Sequence, residues 1–164
     1  MGYTHYWSFK EVDRGEQSKV EALYQKAVDD CKTIIKRYQS QYEKGSIERL
    51  SGTTPHAPQY MGIDFNGSGS AAHEQFSLRA HYRENGSFNF CKTAYKPYDK
   101  VVVACLCALS HRLGEYVEVS SDGEAADWIP GLLLATQATR LRIRMPETVQ
   151  DRDSEQTNNV IAIK

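Results

Sequence analysis

What this chain has little of narrows its chemistry first. There is no excess of positive charge: 20 Lys and Arg stand against 21 Asp and Glu, for a formal net charge of −1. A duplex-binding protein usually clusters a basic excess on one face, so duplex nucleic acid is not an expected partner. No apolar run approaches the ~18 residues of a membrane helix. The opening MGYTHYWSFK is aromatic and polar, unlike a signal peptide. Cys31, Cys91, Cys105 and Cys107 form no CxxC pair and read as buried, reduced thiols. No serine sits in a GxSxG elbow, and no P-loop glycine pattern occurs. His5, His56, His73, His81 and His111 show no ligand spacing. These gaps point to a cytoplasmic protein, in the host cytoplasm if the source is viral, with no metal site and no cofactor.

What is present fits one α+β domain. The chain has 164 residues, 40% of them apolar, enough for a single core. Tyr3 to Phe9 is dense in aromatic and β-favouring residues and reads as a strand. Val20, Leu23, Tyr24, Ala27, Val28, Cys31, Ile34, Ile35 and Tyr38 fall on one helical face, which predicts a helix over 16–43 closed at Lys44-Gly45. Residues 45–58 are loop-like in composition. Strands then follow near 60–65, 75–82 and 88–91, with Glu84-Asn85-Gly86 as a hairpin signal, so a three-stranded meander is expected. Pro97 suits the first position of a buried helix over 97–113. A strand at 116–120 leads to a third helix, which Ser121 and Glu124 would cap and Pro130 would bend or restart. Arg140, Arg142 and Arg144 alternate with apolar residues, as on an edge strand. The order contains βαββαβ, the split-βαβ or ferredoxin-like arrangement. Its antiparallel sheet would carry two main helices on one face, with an extra C-terminal helix. The domain is placed at 1–145, followed by a poorly ordered polar tail over 146–164.

Three clusters could carry chemistry. In the run from Phe88 to Asp99 a strand end meets a helix start. There Lys92, Thr93 and Lys96 suit a phosphate, and Tyr95 and Tyr98 could stack on a base. The bland alternative is a strand–helix turn with solvated lysines and packed tyrosines. The second cluster, Ser120, Ser121 and Asp122, could bind hydroxyl or phosphate groups, or simply cap a helix. The third is Asp64 with His73 and Glu74. A divalent metal would need the second histidine of a helical zinc motif, and adjacent strand residues point to opposite faces. His73 is therefore read as touching an anionic ligand or capping a loop.

GYTHYW near the start, HEQF, FNFCKTAYKPYD and VSSDGEAADW together resemble a group of small phage and prophage proteins. The KTAxKPYD and VSSDG pieces are the specific parts, and the likeness runs over about residues 1 to 135. It implies a viral setting rather than a reaction. By analogy of context and chemistry, it implies a protein that sequesters a nucleotide signal, a cyclic nucleotide or an ADP-ribose derivative, and so blocks host immune signalling. Such a protein would bind rather than catalyse and would be a homodimer or higher oligomer. Two alternatives stand beside it. One is a nucleotide hydrolase or phosphodiesterase using His73 with Asp64 or Glu74. The other is an adaptor that binds a host protein.

Overall fold

The computed structural model describes residues 2–42 and 62–149. The expected loop at 45–58, the Lys44-Gly45 helix end and the tail beyond 149 lie outside the described residues. Among the described residues five strands and three α-helices follow one another: β1 (Thr4–Phe9), α1 (Gln17–Tyr42), β2 (Ile63–Phe65), β3 (Phe76–Leu78), β4 (Phe88–Lys92), α2 (Asp99–Leu113), β5 (Val117–Ser121) and α3 (Ala125–Thr139). The class is mixed α+β with small antiparallel sheets. Among the described residues no helix is long and apolar enough to cross a membrane.

β1 is the middle strand of a three-stranded sheet in the order β4-β1-β5, antiparallel to both neighbours. The expected meander is not formed: among the described residues β2 and β3 pair with each other, in a two-stranded ladder separate from the sheet of β4, β1 and β5. The hairpin signal at 84–86 is a 3-10 turn, Tyr82–Asn85, closed by Gly86 at a φ of +75°. There the Asn85 amide donates to the carbonyls of His81 and Tyr82, which turns the chain away from β3. β4 then pairs with β1 instead of with β3.

Side chains alternate across a strand. On β1 the inward set is His5, Trp7 and Phe9. Phe9 meets Tyr24 of α1, and His5 meets Asp99 of α2 and Trp128 of α3. All three helices therefore lie on one face of the sheet. α2 occupies the middle of that layer, packed against α1 and α3. Its residues Val101 to Leu109 are all fully buried, as a helix apolar on every side requires. Cys31 and Cys105 meet at the α1–α2 contact, and all four thiols are free and buried. Burial pushes Cys107 up to about 12 and, with Glu74 adding to it, pushes Cys91 up to about 12, so both stay protonated.

Local details differ from the expectations for identifiable reasons. α2 begins at Asp99, not Pro97, because the chain makes two tight turns first: the Lys96 amide donates to the Thr93 carbonyl and the Asp99 amide to the Lys96 carbonyl. α3 runs unbroken through Pro130. Its capping box is Glu124 with Asp127 rather than Ser121 with Glu124. Arg140 closes α3 in a left-handed conformation, and residues 142–146 are coil, not an edge strand. The packed core reaches past residue 145, since Val149 is buried and the Thr148 hydroxyl donates to the Val119 carbonyl.

Gly131 sets how closely α3 approaches α2. A Cβ there would sit 2.5 Å from Val103 Cγ1 and 2.9 Å from the Lys100 carbonyl oxygen. Helix propensity alone favours Gly131→Ala by about 1 kcal/mol, but overpacking costs roughly 1–3 kcal/mol and a backbone oxygen has little room to move. Gly131→Ala is expected to lower the denaturation midpoint. A raised midpoint in urea titration would contradict this packing.

Candidate functional site

Two turns the sequence singles out meet at one end of the sheet because β1 lies between them. The register sets Thr4 against Lys92, and His5 between Cys91 and Ser121. The amides of Thr93 and Ala94 both donate to the Tyr3 carbonyl, and the Asp122 amide donates to the Thr4 carbonyl. Beneath this junction lies a buried polar line. His5 Nε2 is 2.6 Å from Asp99 Oδ1, and His5 Nδ1 is 2.8 Å from Ser121 Oγ. Thr93 Oγ1 donates to the same Asp99 oxygen at 2.5 Å, and Gly123 N donates to Ser121 Oγ at 2.9 Å. Asp99 accepts a hydrogen bond from Nε2–H, and in the Nε2–H tautomer Nδ1 accepts a hydrogen bond from the Ser121 hydroxyl. Asp99 stands in the first turn of α2, where the helix dipole favours a carboxylate.

The residue types are those of a relay triad, but His5, Thr93 and Ser121 are all buried. Tyr3 and Trp128 stand edge-on to the imidazole, and Tyr95 stacks on Tyr3 at 3.8 Å. A Cβ on Gly123 would sit 2.5 Å from the Tyr3 hydroxyl, so that turn closes directly over Tyr3. An enclosed line of this kind fastens β1, β4, β5 and α2 together. It offers no open nucleophile.

The sequence-derived candidates thus divide into three groups. Thr93, Tyr98 and Ser121 are buried and engaged, with the Tyr98 hydroxyl donating to the Glu74 carbonyl at 2.6 Å. His73 Nδ1 is 2.8 Å from the Lys92 carbonyl, while Asn66 holds the backbone of His73 from both sides, which is the loop-fastening role. Lys96 Nζ donates to the Ser70 carbonyl at 3.0 Å. The amides of Thr93, Ala94, Lys96 and Asp99 already have acceptors, so this turn does not present them to a phosphate. Its field is also unfavourable to an anion. The Tyr95 phenol is raised first by its partial desolvation and then by Asp127, Asp99, Asp122 and Glu124. The Tyr3 phenol is raised chiefly by burial, with Asp99 and Asp127 adding to it.

Lys92, Ser120, Asp122 and Tyr95 keep accessible surface. The first two belong to the sheet face that carries no helix. On that face Tyr6 lies between Phe90 and Ser120, and Ser8 lies between Phe88 and Glu118. Phe88 and Phe90 are 61% and 57% exposed. The Tyr6 and Phe88 rings are 6.0 Å apart and those of Phe88 and Phe90 are 6.2 Å apart, all tilted by less than 40°. Lys92 continues the same column of β4, its stem running along Gly2. Across β1, Asp122 accepts from the Tyr6 hydroxyl and the Thr4 amide, each at 3.2 Å. Tyr6, Phe88, Phe90, His5 and Asp99 are absent from the sequence-derived set. The FNF triplet was the available signal, because a Phe-polar-Phe alternation fixes that both rings share a face.

Other clefts lie at the opposite end of the sheet. One of about 650 Å³ is lined by Lys10, His111, Arg142 and Arg144 together with Glu115, Glu118 and Glu147. Its balanced charge selects no ligand sign. Among the described residues no cluster of His, Cys, Asp and Glu is placed to hold a metal ion. No protein-family model matches the chain, and neither a curated protein nor a solved structure is significantly similar to it.

The fastening role of Asp99 is testable. Asp99→Ala leaves the buried His5 and Thr93 groups without their shared acceptor and is expected to cost roughly 1–3 kcal/mol for each group left unpaired. Asp99→Asn keeps an acceptor oxygen and should cost less. Equal and unchanged unfolding midpoints for both variants would refute the role.

Proposed function

We propose that this protein binds a small phosphate-bearing nucleotide, with the base on the open face of the sheet and the phosphate toward Lys92. The carrying observation is the row formed by the exposed rings of Phe88 and Phe90 with the half-buried ring of Tyr6 on the helix-free face. Large aromatic side chains are rarely left in water as a contiguous patch without a partner. Nucleobases stack on such platforms with about 1–3 kcal/mol per base. Lys92 supplies a cation in the same column, and among the described residues its ammonium forms no ion pair. The overall charge of −1 and the acidic residues at the β5 side, Glu118 and Asp122, disfavour a long polyanion and favour a ligand of one or two nucleotides.

Capture rather than turnover is the favoured reading. The acid–base groups considered for hydrolysis are engaged in holding loops. Asp64 accepts from Gln75 and Ser77, Glu74 accepts from the Lys92 amide, and His73 faces the Lys92 carbonyl. In the phage-like setting inferred from the sequence, capture of a cyclic nucleotide or an ADP-ribose derivative would silence a host signal. The exposed rings equally favour one second reading, in which the same face closes against another copy of the chain. Light scattering at 18.6 kDa over micromolar concentrations would remove that reading and leave the first standing.

Calorimetric titration with ADP-ribose, cyclic dinucleotides and ribonucleoside diphosphates tests the proposal. Phe90→Ala is expected to weaken binding by roughly 1–3 kcal/mol, and Lys92→Ala by about 1.5–3 kcal/mol. Neither should shift thermal unfolding appreciably. Lys96→Ala and Lys36→Ala should leave affinity unchanged, because Lys96 is tied to Ser70 and Lys36 lies on the exposed side of α1. Absence of binding to every probe would overturn the nucleotide reading.

A further inference from the structure

We propose that Asp122 reads the ribose hydroxyls of the ligand, so that the site prefers ribonucleotides to 2′-deoxyribonucleotides; this rests on the nucleotide reading above. Asp122 stands between β5 and α3, where a carboxylate ordinarily caps the helix. It does not do so here. The N-cap is Glu124, whose amide is held by Asp127 Oδ2 at 2.9 Å. Asp122 instead turns toward the sheet. Its Oδ2 accepts from the Thr4 amide and its Oδ1 from the Tyr6 hydroxyl, both at 3.2 Å, while its own amide donates to the Thr4 carbonyl at 3.0 Å.

Those three bonds fix the carboxylate beside the ring that heads the aromatic row. An ionised carboxylate offers about four acceptor positions. Two are occupied, and the side chain remains exposed, which leaves acceptors for two neighbouring hydroxyl groups. The geometry also orders the ligand. Thr4 lies between Asp122 and Lys92 in the sheet, so the carboxylate and the lysine backbone are separated by about two strand spacings, roughly 10 Å. A base on Tyr6 and Phe90 would then direct its sugar toward Asp122. Its phosphates, repelled by that carboxylate, would turn toward Lys92. A hydroxyl is the uncharged donor that an anionic corner accepts, and the 2′-hydroxyl is what separates the two nucleotide classes.

The test is a titration of wild type, Asp122→Asn and Glu124→Gln with the four ribonucleoside 5′-diphosphates and their 2′-deoxy counterparts. In wild type the ribo series should bind about ten-fold or more tighter, the worth of one charge-assisted hydrogen bond. Asp122→Asn keeps one acceptor oxygen for the Thr4 amide and can donate from its amide nitrogen to the Tyr6 hydroxyl oxygen, should melt near wild type, and should bring the ratio close to one by weakening the ribo series alone. Glu124→Gln removes a nearby charge and should leave the ratio intact. Equal binding of the two series by wild type overturns the ribose assignment while sparing the aromatic platform. A ratio that survives in Asp122→Asn overturns the assignment to this residue. No binding of either series overturns it together with the nucleotide reading.

Discussion

Strand β1 is paired on both edges, so every one of its side chains must go either into the helical layer or onto the open face, with no freedom between. That alternation organises the molecule. His5, Trp7 and Phe9 go inward and meet α1, α2 and α3. Tyr6 and Ser8 go outward with Phe88, Phe90, Glu118 and Ser120. A one-residue slip would exchange the two sets. It would bury Tyr6 where His5 now bonds Asp99 and Ser121. Those buried bonds, which lose far more when broken than they gain when made, hold the register, and the register in turn holds the aromatic row.

Much of the helical layer was legible because its cause is local. The apolar stripe from Val20 to Tyr38 places the start of α1 within one residue of its expected position, and the run Val101 to Leu109 marks a helix buried on all sides. Pro97 misplaced the start of α2 because φ preference does not reveal the two turns that precede Asp99. Glu124 rather than Ser121 caps α3, because the Ser121 hydroxyl is held by His5, a partner 116 residues away in sequence. The strand partners were less legible. The turn residues at 84–86 do turn the chain, but as a 3-10 turn between unpaired strands, and β4 pairs with β1 rather than with β3.

The candidate site was legible as a place and not as a surface. The turns after β4 and β5 do converge, and Lys92 and Asp122 do lie beside the open face. Thr93, Tyr98 and Ser121, chosen for their functional groups, are consumed by the fold. The aromatic row is not legible in the sequence, because alternation shows that Phe88 and Phe90 share a face without showing which face. Ordinary burial preference sends Phe inward, yet here Cys91 takes the interior and the two rings take the outside. A local rule broken in this way, with no gain to the core, is where function is expected.

Two separate arrangements therefore meet at one end of one sheet: a buried polar line that sets geometry, and an open aromatic row that is the proposed ligand surface. Carbon–proton correlation spectra of the aromatic rings during titration with ADP-ribose test that separation directly. The account predicts progressive shifts of the Tyr6, Phe88 and Phe90 ring signals, with those of His5 and Trp128 stationary. Shifts confined to His5, Trp128 and Tyr3, with the Phe88 and Phe90 rings unmoved, would place the ligand at the buried line and contradict it.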